Sequence, residues 1–287
     1  MAFGQQPQDG RNPQYNNVNG QQYGQPYGQQ PAYQYAQQPY GQQYAYAPNG
    51  TATMNAQTAY SYEQVQEAQR ASVTRAYGEM TIGLIVTAVV AVLAQMSGAY
   101  IAFLQSTGLV GVFGLAIVQI GLALYLGARI MKIKASTARV MFYVYAALMG
   151  FTLSSIFLVY DLGSIGLALG MCALFFLVLT MFGMTTKFNM LKAGPILMVG
   201  LIVLIISQVI LSFLPVSGAT QMVCAIGLIL FAGMTVYDAQ QTRALFQAYE
   251  AQGPEMIRKV SIICALNLYL DFVNMFLYIL RLLGSRD

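Results

Sequence analysis

The sequence predicts an all-α polytopic membrane protein, a bundle of seven transmembrane helices. Of its 287 residues, 57% are hydrophobic and only 8% are charged, whereas soluble domains carry about 25% charged residues. The mean hydropathy is +0.54 even though the N-terminal region is very polar. The apolar runs are continuous rather than alternating, which indicates helices instead of the strands of a membrane barrel.

The N-terminal region differs from the rest of the chain. Residues 1–60 consist mainly of Gln, Tyr, Pro, Gly and Asn, with near-repeats at 25–33 (QPYGQQPAY) and 38–46 (QPYGQQYAY). This segment has too few aliphatic side chains to offset its ordering entropy, so we expect a disordered tail. It shows no basic stretch followed by an apolar one, so we expect no cleavable signal peptide. A polar lead-in, 61–79, precedes the transmembrane domain, 80–284.

Seven apolar segments each supply close to the ~20 residues that cross the hydrocarbon core. They lie near residues 80–97, 109–128, 139–160, 163–184, 195–214, 220–239 and 259–283. Pro195 stands where a helix can begin, and Pro215 stands just beyond the end of one. The connection through 241–259 is fairly long, and its residues can extend the sixth helix beyond the membrane.

Lys and Arg are concentrated in every second loop. The basic loops lie near 129–139, 185–194 and 240–259, and the loops without Lys or Arg lie near 98–108, 161–162 and 215–219. The positive-inside rule then places the N-terminal tail and the basic loops in the cytoplasm. Seven crossings put the C-terminus outside, whereas Arg286 favours the inside. A seventh helix that enters and returns would satisfy Arg286, so both arrangements stay open.

Composition excludes several classes of function. The chain has no His, which removes the commonest metal ligand and general base. Cys172, Cys224 and Cys264 lie in apolar runs without CxxC spacing, so we expect buried thiols rather than a disulfide or zinc site. No Walker loop, dinucleotide fingerprint, HExxH or EF-hand pattern occurs. The loops account for the net charge of +4, so we expect no nucleic-acid partner. Because none of these motifs is present, we also expect no enzyme activity and no cofactor.

The seventh segment carries a polar stripe. Asn267, Asp271, Asn274 and Tyr278 follow helical spacing and fall on one face. A carboxylate at the centre of a bilayer costs at least ~2.5–3.5 kcal/mol, so this face should meet protein or a hydrated cavity. Hydrogen bonding to neighbouring helices would explain the asparagines and Tyr278. Asp271 is better explained as a functional group, because Asn would form such bonds at lower cost.

A second acidic residue, Asp238, closes the sixth segment. Two carboxylates in one dry site compete for protons, which would provide pH sensitivity without His. Their oxygens also suit Ca²⁺. Arg129, at the end of the second segment, or Lys132 would compensate the charge. The alternative is that both cations only anchor the helix ends.

The C-terminal motifs resemble those of a known family. VYDAQ (236–240) followed by ALNLYLDFVNMFLYILRLLG (265–284) is similar to the signature of the Bax inhibitor-1 family, also called the transmembrane Bax inhibitor motif family. The resemblance covers roughly residues 75–284 and includes GFTLSSIF (150–157). It implies that the seventh helix is central and surrounded by the other six.

The resemblance also implies a function, a pH-dependent Ca²⁺ leak across the membrane. By motif, Asp238 and Asp271 would form a proton-sensing pair near the cytoplasmic mouth and make transient contacts with Ca²⁺. Arg129 would latch to one of them, and Lys132 would be a weaker latch because it lacks bidentate geometry. Paired carboxylates would close the mouth, and protonation would loosen it. We expect a bacterial plasma membrane, with the lipid bilayer and Ca²⁺ as partners.

Two other functions compete with a leak. Intramembrane aspartyl proteases also use two aspartates, but they have Gly-x-Gly-Asp where this chain has Tyr269-Leu270-Asp271. The absence of those glycines denies a substrate backbone close approach. A non-transporting regulator that binds membrane quality-control or cell-death proteins is the remaining alternative, with the tail recruiting partners.

Overall fold

A computed structural model describes residues 45–46, 52–53, 62–213, 218–249 and 252–284. In the N-terminal region, strand β1 (Ala45–Tyr46) pairs antiparallel with strand β2 (Ala52–Thr53). The remainder of the tail predicted for residues 1–60 lies outside the described residues. Its disorder therefore stays a prediction.

Seven long helices make up the rest of the described chain, which confirms the all-α fold class. They are α1 (Tyr62–Met96), α2 (Ala99–Arg129), α3 (Ala135–Leu153), α4 (Leu162–Thr185), α5 (Gly194–Phe213), α6 (Ala219–Tyr249) and α7 (Pro254–Leu283). Short 3-10 helices, Ser154–Leu158 and Met190–Ala193, extend α3 and precede α5. All seven helices are long and apolar enough to cross a membrane.

Helix boundaries depart from the expected segments at three places. The lead-in belongs to α1, and the apolar span of that helix begins at Ser72. Helix α2 includes much of the expected loop near 98–108, and the chain bends at Gly108, whose φ of 59° favours glycine. Helix α6 continues to Tyr249, about three turns beyond the expected end. Polar residues at these ends lower the local hydropathy without breaking the helix.

Helix α7 occupies the centre of the bundle, as the family resemblance implied. In its apolar window 72% of the residues are buried, compared with 6% in that of α5. Tyr269 shows how neighbours enclose it: its ring lies edge-on to that of Phe142 on α3, at 5.7 Å between centroids, and its hydroxyl lies 2.7 Å from Thr87 Oγ1 on α1. The three cysteines are free and buried, as predicted.

Local signals fix where α4 and α7 begin. Asp161 caps α4, because its Oδ1 accepts a hydrogen bond from the Ser164 amide at 2.9 Å. These hydrogen bonds with Ser164 hold the pKa of Asp161 below its ordinary value. Before α7, Gly253 has a φ of 87° and Pro254 occupies the first turn. The α6–α7 connection is therefore short, and the two helices run back antiparallel to each other.

Candidate functional site

The structure brings Asp238 and Asp271 together. Asp238 lies on α6 and is 6% exposed, and Asp271 lies on α7 and is 1% exposed. Their side chains are hydrogen-bonded to each other. A hydrogen bond between two carboxyl groups requires a proton, so a contact of this kind forms only when at least one of the two groups is protonated.

Few other polar groups of the described residues lie close to the two aspartates. Asp271 Oδ2 is buried, and among the described residues no N–H or O–H donor reaches it. Tyr77, on α1, interacts electrostatically with both aspartates, and its buried hydroxyl likewise has no hydrogen-bond partner in the described part of the chain. Thr242 on α6 and Cys264 on α7 are also buried. The acid pair thus lies in a buried region between α1, α6 and α7.

An apolar plug separates the aspartates from the α6–α7 connection. We use this name for a buried cluster of five side chains from α1, α6 and α7: Val73, Ala76, Phe246, Val260 and Cys264. On α6 the plug lies about two turns after Asp238, and on α7 it lies about two to three turns before Asp271. Apolar constrictions of this kind exclude water and ions. Along both α6 and α7, the plug therefore lies between the acid pair and the α6–α7 connection.

The other members of the polar stripe have different environments. Tyr278 is buried, and its hydroxyl accepts a hydrogen bond from Gln208 Nε2 on α5. Gln208 Oε1 in turn accepts one from Arg281 Nη1 at 3.2 Å. Asn274 is half-buried and donates to the Leu270 carbonyl of its own helix at 2.8 Å, and Asn267 is also half-buried. Tyr278 therefore ties α7 to α5, away from the acid pair.

The proposed counter-ions lie elsewhere. Arg129 is exposed in the last turn of α2, and Lys132 is exposed in the loop that follows. Within the part of the chain that the structure describes, neither cation forms an ion pair with an aspartate, and the one ion pair joins other residues. The structure thus brings together two of the three predicted gating residues, and the latch by Arg129 stays a prediction.

That ion pair was missed by sequence reasoning. Arg139 Nη2 on α3 lies 2.5 Å from Glu79 Oε1 on α1. The Tyr143 hydroxyl donates to the other oxygen, Glu79 Oε2, at 2.6 Å. Glu79 had been assigned to the polar lead-in and Arg139 to a basic loop. The available signal was the four-residue spacing of Arg139 and Tyr143, which places both on one face of a helix.

Comparison with known proteins now identifies the family. The family model described as inhibitor of apoptosis-promoting Bax1 matches residues 69–287. The chain belongs to the Bax inhibitor-1 family. Its relatives include the inner membrane protein YbhL of Escherichia coli K12, which is 38% identical over 210 residues, covering 73% of this chain and 89% of YbhL. An uncharacterized protein of Borreliella burgdorferi is 34% identical over 212 residues, covering 74% and 90%.

Family membership and the seven spans make the chain an integral multi-pass membrane protein. The matched region includes the described helical bundle except the first two turns of α1, and therefore includes the acid pair, the plug and the Glu79–Arg139 ion pair. In the described residues no group of three or more His, Cys, Asp or Glu side chains comes together. Two carboxyl groups offer at most four of the 6–8 oxygens that a resident Ca²⁺ takes.

Proposed function

We propose that this Bax inhibitor-1 family member is a pH-sensitive, Ca²⁺-permeable leak channel of a bacterial inner membrane, gated by Asp238 and Asp271. The observation that carries the proposal is the buried, hydrogen-bonded acid pair without a cation. An intramembrane carboxyl group is costly and marks an ion or proton pathway. YbhL, the relative named as an inner membrane protein, supports the choice of membrane. In this proposal Ca²⁺ is the permeant ion, and the protein has neither a catalytic step nor a cofactor.

The closed state holds one proton between the two carboxyl groups. Such a hydrogen bond is charge-assisted and therefore stronger than one between neutral groups. A second proton removes the negative charge and weakens the contact between α6 and α7. The apolar plug is built from these two helices and α1, so loosening the pair also loosens the plug. Acidification is therefore expected to increase flux, and Arg129 would hold the pair when both protons have left.

Reconstituted protein tests this mechanism. Ca²⁺ entry into liposomes would be followed with an enclosed indicator dye between about pH 5 and pH 8, the range over which perturbed carboxyl groups can act as switches. Asp271→Asn and Asp238→Asn should flatten or shift the pH dependence, because neither variant retains two carboxyl groups that can share a proton. Asp161→Asn is the matched control: it also removes one carboxylate, but from the cap of α4, and it should behave as wild type.

Two outcomes would count against the proposal in different ways. Wild-type, pH-dependent flux in Asp271→Asn would refute the role of the acid pair while leaving a leak in place. No flux from well-folded wild-type protein would refute the leak itself and favour the non-transporting regulator. A chain lacking residues 1–60 that loses co-purifying membrane proteins would then support that second function.

A further inference from the structure

A basic pocket opens at the end of the bundle where α3 and α7 begin. Its volume is about 390 Å³, within the usual range of small-molecule sites, ~300–1,000 Å³. Its lining residues come from the α2–α3 connection, the first turns of α3 and the first turns of α7: Lys134, Ala135, Ser136, Arg139, Glu255 and Arg258. We propose that this pocket binds the phosphodiester headgroup of an anionic membrane lipid.

Charge is the first argument for an anionic ligand. Three cationic side chains, Lys134, Arg139 and Arg258, face the pocket together with one carboxylate, Glu255. That carboxylate is already engaged, because Glu255 Oε1 accepts a hydrogen bond from the Ala135 amide at 2.8 Å. It therefore caps α3, and the pocket keeps more cationic than anionic side chains. Lys134 and Arg258 are exposed, and in the described residues neither is in an ion pair.

Arg139 adds the geometry that a phosphate needs. One of its terminal nitrogens is held by Glu79, which fixes the guanidinium at the pocket wall. Its Nε is buried and has no hydrogen-bond partner in the described part of the protein. A guanidinium presents donors in a planar fork that matches phosphate oxygens. Ser136, at the second position of α3, adds a hydroxyl donor beside it.

Position distinguishes a lipid from a free phosphate ion. The pocket lies at the ends of two membrane spans, Ala135–Leu158 and Pro254–Leu283, where lipid headgroups are found. Val140 and Val144 follow Ser136 at four-residue steps along α3 and are 62% and 48% exposed. An apolar track thus runs from the pocket into the bilayer, where an acyl chain can lie. Basic pockets between transmembrane helices commonly bind acidic headgroups in this way.

Lipid titration followed by native mass spectrometry tests the pocket. Full-length protein in detergent would be titrated with short-chain phosphatidylglycerol and, separately, with phosphatidylcholine. Wild type should bind phosphatidylglycerol preferentially. Because a cation near the surface contributes ~1 kcal/mol toward acidic lipid, Lys134→Gln with Arg258→Gln should weaken that binding about 30-fold. Lys187→Gln with Lys192→Gln removes two exposed cations from another connection, and this control should bind as wild type.

A second variant separates binding from folding. Ser136→Asp places a negative charge in the first turn of α3, where the helix dipole favours it, yet it repels an anion from the pocket. Its unfolding midpoint in phosphatidylcholine micelles should match wild type while phosphatidylglycerol binding falls. An equal loss of phosphatidylglycerol binding in the variant with Lys187→Gln and Lys192→Gln would overturn the proposal. So would the absence of any preference for phosphatidylglycerol in wild type. Displacement of the lipid by excess inorganic phosphate would also overturn it, since the ligand would then be the free anion.

Discussion

Glu79 on α1 and Asp271 on α7 are both buried acidic side chains, but their partners differ. Glu79 receives Arg139 at 2.5 Å and the Tyr143 hydroxyl at 2.6 Å. Asp271 receives only another carboxyl group, that of Asp238, and its Oδ2 has no donor in the described residues. The same bundle thus holds one acidic group beside a cation and one beside a second carboxyl group.

This difference predicts a structural role for Glu79 and a pH-dependent role for the pair of Asp238 and Asp271. Glu79 has a cation and a hydroxyl donor beside it, so the Glu79 cluster should fix α1 against α3. Two carboxyl groups side by side change their joint charge whenever a proton enters or leaves. The aspartate pair should respond to pH at the contact between α6 and α7.

Breaking the ion pair should have the largest effect on stability. Arg139→Gln leaves Glu79 buried without a cation, and we expect a loss of about 2–3 kcal/mol, below the full range for buried pairs because 43% of the Arg139 side chain is exposed. Equilibrium unfolding in detergent micelles measures this loss. Glu79→Gln combined with Arg139→Gln should recover most of it, because no unpaired charge remains.

Arg129→Gln serves as the control for that measurement. It removes an arginine at the exposed end of α2, where we expect a change below about 0.5 kcal/mol. An equal loss in Arg129→Gln and Arg139→Gln would show that the effect is one of general charge, and the special role of the Glu79 cluster would be wrong.

Removing the tyrosine hydroxyl should have the next largest effect. Tyr143→Phe deletes the donor to Glu79 Oε2 while leaving the ion pair intact, so we expect about 1 kcal/mol of destabilisation at neutral pH. Tyr125→Phe, at a 48% exposed site on α2, should unfold as wild type does. If the two variants unfold alike, the Tyr143 hydroxyl adds nothing to the cluster.

Particular residues show how far sequence reasoning reached. The apolar runs predicted all seven helices, because hydropathy is a local property. The central position of α7 and the pairing of Asp238 with Asp271 were implied by the family resemblance of the C-terminal motifs. The length of α6 was harder to predict, since residues 240–249 are polar but still helical. Their helical form is what shortens the connection and fixes the approach of α6 to α7.

Contacts between distant helices were beyond the reach of local patterns. Glu79 and Arg139 lie far apart in sequence, and each resembles an ordinary charge near a helix end. Only the packing of α1 against α3 reveals that they meet in a buried place. The basic pocket has the same origin, because it combines the start of α3 with the start of α7. A single sequence contains no direct record of such pairings.

Replacing Asp271 should have a smaller effect on stability than replacing Glu79. In Asp271→Asn the amide can donate to Asp238 without a shared proton, so we expect stability to change by less than about 1 kcal/mol at neutral pH. Glu79→Gln, measured in the same micelles, should cost more, because it leaves Arg139 without its partner. A loss in Asp271→Asn that exceeds the loss in Glu79→Gln would mean that the Asp271 charge is structural, and the comparison between the two acids would fail.

The smallest effect is expected at Asp161, an acidic group that is neither buried nor paired with a cation. Its hydrogen bonds with Ser164 lower its pKa in the folded protein. A lowered folded pKa means stability that is present above the ordinary value of 3.8 and is lost as pH falls through the folded value. The unfolding midpoint of Asp161→Ala should therefore lie slightly below that of wild type at neutral pH, and this gap should close in strong acid.

Asp161→Asn provides the matched comparison, because Asn caps a helix as well as Asp does but cannot titrate. Its midpoint should follow wild type at neutral pH, and its advantage over Asp161→Ala should persist in acid. A gap between wild type and Asp161→Ala that stays constant down to strong acid would show that the ionised carboxylate is not the source of the cap. In that case Asp161, like the two buried acids, would act mainly through its packing, and the difference in exposure between them would matter less.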